Sequence, residues 1–101
     1  MVKHVILWQL KDELSAEEKK TVKAQIKEGL EGLKDKVPGI VYIRVQTDCL
    51  ESSNADVMLD SAFTDEAALK GYAVHPEHVA VANGVVRPNT KSRVCMDYLA
   101  D

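Results

Sequence analysis

Apolar positions along this chain switch between a period of two and a period near four, and each switch marks a new element. From Lys3 to Leu10 they alternate, with His4, Ile6, Trp8 and Leu10 on one side and Val5 and Leu7 on the other, as in a strand. Ser15-Ala16-Glu17-Glu18 then reads as a capping box, Ser15 covering free N–H groups and Glu18 reaching back. It opens a long helix in which Val22, Ile26, Leu30, Leu33 and Val37 make one narrow stripe, and Pro38-Gly39 stops it. Alternation returns from Ile40 to Thr47, with Ile40, Tyr42 and Arg44 against Val41, Ile43 and Val45. Beyond a polar loop over 49–54, a third strand from Ala55 to Phe63 sets Val57, Leu59, Ser61 and Phe63 on one side.

The last third is broken by a proline. Thr64 or Asp65 caps a short helix through Leu69 and Tyr72. Pro76 disfavours the helical conformation at His75 and ends that helix. The same proline suits the first position of a new helix, where its missing N–H costs nothing. That helix runs to about Val86, with His78, Val81, Ala82 and Val85 on one stripe. Arg87-Pro88-Asn89 turns the chain, and Lys91 to Leu99 closes as a strand with Val94, Met96 and Tyr98 opposite Cys95, Asp97 and Leu99.

The order β-α-β-β-α-β, without linker or repeat, predicts one α+β domain over residues 1–101. Its form is a ferredoxin-like plait, an antiparallel sheet carrying both helices on one face. The other face then holds Val5, Leu7, Val41, Ile43, Val45, Val94 and Met96, or their alternates, since sequence does not fix the inward register. An apolar face of that size is more than a monomer exposes. The expectation is a homodimer joined through the sheet faces, closing a dimeric α/β barrel.

Composition narrows the partners. Thirteen basic against sixteen acidic side chains leave a formal charge of -3, with the lysines interleaved among glutamates, so neither nucleic acid nor an anionic membrane is an expected partner. No run approaches the ~20 apolar residues of a bilayer span. The N-terminal apolar run is too short for a secretory leader, and Cys49 and Cys95 belong to no C-x-x-C pair, so a reduced, cytoplasmic setting is expected. Scattered glycines form no phosphate loop, no G-x-S-x-G elbow or Cys/His nucleophile pattern occurs, and no cofactor is expected.

The candidate chemistry lies in Gly71-Tyr72-Ala73-Val74-His75-Pro76-Glu77-His78-Val79. His78 falls in the first turn of the second short helix, at the positive end of its dipole. That position and burial both lower its basicity, so it is expected neutral near pH 7. A neutral imidazole near the Tyr72 phenol is a candidate catalytic acid–base pair. The plainer alternative is a buried histidine donating to a backbone carbonyl, with Tyr72 at the edge of the core. If the His4, Ile6 and Trp8 side of the first strand faces the helices, His4, Tyr72 and His78 converge on one cavity. Leu59 and Ala82, on the apolar sides of their elements, join the expected substrate-binding wall. His75 is read as a helix-break residue. Three histidines with Glu77 invite a metal reading, but His75-x-x-His78 straddles Pro76 and lacks the i, i+4 spacing that sets two imidazoles side by side, so no metal is expected.

Three segments together resemble the stress-responsive dimeric α/β-barrel (Dabb) family: Val2-Lys3-His4-Val5-Ile6-Leu7-Trp8 with Lys11-Asp12, Pro38-Gly39-Ile40, and Gly71-Tyr72 through His75-Pro76-Glu77-His78-Val79. The closing Asp97-Tyr98 fits as well, so the resemblance runs essentially end to end. It implies a homodimeric ferredoxin-like barrel. The family includes the plant polyketide cyclase olivetolic acid cyclase, which performs a cofactor-free intramolecular aldol closure. By that resemblance His78 is the general base, Tyr72 binds and orients the substrate, and His4 lines the pocket. The chain departs from the cyclase on the first helix, where Val22 and Lys23, with Ile26 following, replace pocket aromatics. The resemblance thereby adds Val22 and Ile26 to the expected substrate-binding wall. Lys23 at the rim and Trp8 in the first strand imply a differently shaped cavity.

The reading that follows is a cofactor-independent enzyme of lyase or cyclase type acting on a small carbonyl or phenolic compound. The alternatives are a stress-associated protein that holds a small apolar ligand without reaction, and a purely structural dimer with no cavity.

Overall fold

The computed structural model describes residues 1–100. The elements are β1 (Val2–Leu10), α1 (Ala16–Glu31), β2 (Ile40–Gln46), β3 (Val57–Phe63), α2 (Glu66–Val74), α3 (Pro76–Val81), α4 (Arg87–Asn89) and β4 (Thr90–Leu99). The strands form one antiparallel sheet in the order β2-β3-β1-β4. Each crossover helix thus links two strands with a third between them, and the chain is an α+β ferredoxin-like plait.

The capping box works as read: Ser15 Oγ accepts from the Glu18 N–H and the Glu18 carboxylate accepts from the Ser15 N–H. α1 ends at Glu31, and a tighter turn over Gly32–Asp35 carries the stripe to Val37. Val22, Ile26, Leu30, Leu33 and Val37 are all buried against the inner sheet face. Each such side chain contributes about 1.5–3 kcal/mol by leaving water. Gly39 makes the turn into β2 with φ +89°, and a Cβ there would lie 2.5 Å from the Ala68 Cβ.

β2 departs from simple alternation. Ile40 pairs with Phe63 but Tyr42 pairs with Ala62, so Val41 is an extra, exposed residue in a bulge. The bulge turns Ile43 and Val45 inward with Ile40, where both are buried. They therefore do not belong to the outer sheet face where unbroken alternation with Val41 had put them. Val5, Leu7, Val94 and Met96 do occupy that face, joined by Met58 and Tyr98. Towards β2 the same face is polar: Asp60 accepts from Lys3 Nζ at 2.8 Å and Tyr42 Oη at 3.1 Å.

Helix α1 also satisfies the free edge of β2. Lys27 Nζ donates to the Val45 carbonyl at 2.8 Å, and the Glu31 carboxylate accepts the Val45 N–H at 2.9 Å. Those pairings occupy backbone groups that would otherwise invite another strand. β4, at the opposite edge, has no such cover. Val94, Met96 and Leu99 are each at least 65% exposed, far beyond the core strands.

Asp65 is the residue that caps α2, accepting from the Ala68 N–H. α3 begins at Pro76, as the sequence required, but does not run on as an α-helix. Ala82–Val86 winds more widely, and the Arg87 N–H reaches back five residues to the Ala82 carbonyl. The inserted residue shifts the phase, so Val86 is fully buried while Val85 is only partly so. Arg87–Asn89 is a final helical turn rather than a loop. No helix among the described residues is long and apolar enough to cross a membrane.

Candidate active site

The break at His75 builds the site. Its backbone is extended (φ −65°, ψ 132°), ending α2 and capping α3. The His75 Nδ1 accepts the Glu77 N–H at 3.1 Å. Glu77 is the residue whose N–H would have met the Ala73 carbonyl in a continuous helix, so that carbonyl is left over. His78 Nδ1 lies 3.2 Å from it. A carbonyl only accepts, so His78 Nδ1 carries the proton and Nε2 keeps the free lone pair.

His78 is half-buried, and its ring lies against Tyr72, centroids 4.2 Å apart and planes inclined at 37°. Tyr72 packs in turn on Phe63 at 4.9 Å and on His4 at 6.1 Å. Burial pushes the Tyr72 phenol well above its usual range. Burial is also the main cause that lowers the His78 pKa from 6.5, aided by the charges of His4, Arg87 and Arg93 and opposed by the Ala73 bond. The Tyr72 hydroxyl is buried without any hydrogen-bond partner. An unmet buried donor of this kind costs about 1–3 kcal/mol.

These groups face a cleft of about 1000 Å³ between the sheet and α2–α4. A packed interior with no cavity is therefore ruled out. His4, Ile6, Trp8 and Leu59 line it from the sheet, and Tyr72, His78 and Ala82 from the helices. The cleft is not the closed hollow that an all-apolar wall would give, because exposed Glu66, Lys70, Arg87 and Arg93 edge its mouth.

Val22 and Ile26 are placed elsewhere. α1 runs antiparallel to β1, so the end of α1 that meets His4 is its C-terminal end, and Leu30 supplies the wall there. Val22 sits one side away in a shallow dent with Leu14 and Asn89, and Ile26 is fully buried in the core. Lys23 is likewise absent from the cleft rim, its Nζ donating to the Thr47 carbonyl at 3.2 Å.

Residues of β4 were missed by the sequence reading. The Asp97 carboxylate accepts a hydrogen bond from His4 Nδ1, and Cys95 lies beside both. Among the described residues, His4, Cys95 and Asp97 each bring a donor atom within 4.8 Å of the others and form a group that could hold a metal ion. The signal available was register alone: His4 and Asp97 are direct partners across β1 and β4.

The stress responsive A/B barrel domain matches residues 2–100. A dimeric protein of unknown function with a ferredoxin-like fold from Bacteroides fragilis is 36% identical, with 96% of this chain and 93% of that one covered at a TM-score of 0.89. A dabb family protein from Mesorhizobium loti is similar at 21% identity and a TM-score of 0.76, covering 98% of this chain and 95% of its own. Hydroxynitrile lyase from Passiflora edulis is similar at 17% identity and a TM-score of 0.74, covering 99% and 93%. At those last two identities the likeness concerns the fold. No curated protein matches the chain. With the match running from Val2 to Ala100 over the fold described above, the chain belongs to the stress-responsive A/B barrel (Dabb) family.

Proposed function

We propose that the protein is a homodimer whose cleft performs cofactor-independent acid–base chemistry of lyase or cyclase type on a small carbonyl or phenolic compound. The observation that carries this reading is the unpartnered, buried Tyr72 hydroxyl beside a His78 ring with its Nε2 lone pair free. Tyr72 holds its proton through the neutral range, and a side-chain movement that opens its buried hydroxyl to the cleft would let it donate to a carbonyl oxygen. His78 is neutral and suited to accept a proton from an acidic C–H or O–H. A proton taken by His78 leaves an enolate or alkoxide whose charge rests on the oxygen facing Tyr72. In a cyclisation the enolate carbon forms a bond to a second carbonyl; in a lyase reaction the alkoxide expels a carbon leaving group. His78 then returns the proton to the product or to the leaving group. A positioned base of this kind contributes about 10²–10⁴-fold.

The Passiflora protein bears the name of a lyase, which makes such chemistry compatible with the fold by analogy. The homodimer is supported by the apolar patch of Val5, Leu7, Val94 and Met96, and by the Bacteroides protein's description as dimeric. Two free, exposed thiols suit a reducing compartment such as the cytoplasm.

A second reading, ligand binding without turnover, draws on the His78 Nδ1 bond to Ala73, which matches a structural histidine. Incubation with a panel of small enolisable ketones and phenols, followed by mass spectrometry, separates the two. Turnover that falls at least about 100-fold in His78→Ala and tenfold or more in Tyr72→Phe supports the enzyme. Turnover untouched by both refutes it, and saturable binding without any product leaves the binding protein.

A further inference from the structure

Three side chains that this acid–base chemistry does not use meet on the sheet wall of the cleft. His4 and Asp97 are cross-strand partners, and Cys95 precedes Asp97 by two residues on the same face of β4. The Cys95 Sγ lies 3.8 Å from His4 Nδ1 and 3.6 Å from Asp97 Oδ1. Around a tetrahedral ion with bonds of about 2.0 Å to nitrogen or oxygen and 2.3 Å to sulfur, neighbouring donors stand roughly 3.3–3.7 Å apart. At 3.6 Å from Asp97 Oδ1 the sulfur is already at ligand spacing, and at 3.8 Å from His4 Nδ1 it lies just beyond it. His4 and Asp97 are closer because a proton joins them. A metal ion bound by both would use the same lone pairs, so it replaces that proton and needs only a small swing of the exposed Asp97.

We propose that His4, Cys95 and Asp97 form a binding site for a divalent ion of the zinc class, with its fourth position turned to the cleft for water or an anionic oxygen. A thiolate and a carboxylate together neutralise the two positive charges, and the imidazole adds a neutral donor. The mixed N, S and O set selects zinc or cobalt over magnesium or calcium, which take oxygen alone. Two paired strands hold the donors, and Ser61 Oγ fixes the His4 backbone by donating to its carbonyl at 2.7 Å. The sequence-based expectation of no metal weighed the three histidines with Glu77, and of these only His4 takes part here. The site stands whether or not His78 and Tyr72 catalyse a reaction.

The test is titration of the purified, reduced, metal-free protein with Co²⁺, and with Zn²⁺ in competition with a chromogenic chelator. One ion per chain is expected, with a thiolate-to-cobalt charge-transfer absorption. Cys95→Ser should abolish that absorption, and Asp97→Asn should weaken Zn²⁺ binding about tenfold or more. Cys49→Ser should change neither. Both β4 positions are exposed, and circular dichroism of each variant shows that the fold is kept. Absence of stoichiometric binding by the wild-type protein overturns the proposal. So does binding unchanged in Cys95→Ser and Asp97→Asn, which assigns the ion to other residues.

Discussion

The His78 imidazole and the Tyr72 phenol touch ring to ring, 4.2 Å between centroids, while no hydrogen bond joins their polar atoms. They are therefore not a relay in which one group hands its proton to the other. Each polar atom stays unpaired: the Tyr72 hydroxyl keeps an unused donor, and the His78 Nε2 an unused acceptor. The separation follows from the Pro76 break, which supplies the Ala73 carbonyl that fixes the His78 tautomer.

If His78 is the working base, kcat/KM falls on the acid side with a midpoint below 6.5, the direction in which burial moves it. No alkaline limb from Tyr72 appears up to its ordinary pKa of 10, since burial raises that group. Stability carries the same signature. In the window between the lowered folded value and 6.5 the unfolded chain binds more protons, so stability increases with pH there and is lost as pH falls through it. Rate profiles and denaturation midpoints between pH 5 and about 7 check both.

Tyr72→Phe separates stability from function. Removing a buried hydroxyl that has no partner stabilises the ligand-free protein by about 1–3 kcal/mol in urea denaturation. The same change weakens a carbonyl ligand at least about tenfold by calorimetry. A loss of stability would mean that the hydroxyl is satisfied in solution.

Gly39→Ala tests the turn into β2. The left-handed backbone penalises any Cβ by about 1–2 kcal/mol, and the contact with Ala68 adds overpacking of about 1–3 kcal/mol. The expected loss is at least about 2 kcal/mol, read by equilibrium denaturation. The double variant with Ala68→Gly recovers the part due to contact and not the part due to strain.

Met96→Glu tests the outer sheet face. Met96 is 66% exposed and pairs with Val5 across β1 and β4, at the centre of the apolar patch. A carboxylate there should turn a dimer into a monomer by sedimentation at micromolar concentration. A wild-type protein that already sediments as a monomer would remove the dimer from the reading.

Much of this architecture was legible because single residues enforce it locally. Ser15 and Glu18 cap α1, Pro76 divides α2 from α3, and the alternation from His4 to Leu10 sets the inner face of β1. What escaped depended on one-residue shifts. The bulge at Val41 sends Ile43 and Val45 inward, and an extended run of β-branched residues carries no mark of it. The direction of α1 decides that Leu30, rather than Val22 or Ile26, meets His4, and a stripe of equal apolar residues does not say which of them sits over a gap. Asp97 and Cys95 escaped because β4 is exposed on both faces, so no burial pattern distinguishes its two sides.

The wide turn over Ala82–Val86 has a consequence for how this wall of the molecule can be altered. It holds one residue more than regular winding needs, and each residue of an α-helix advances the chain by about 100°. Deleting a single residue there lets the segment relax into ordinary helical winding without breaking either neighbour. Ala82 upstream and Val86 downstream would then change their angular offset, giving a differently contoured hollow on an otherwise unchanged frame. Length variation of one amino acid, usually ruinous inside a helix, is at this place a means of retuning shape.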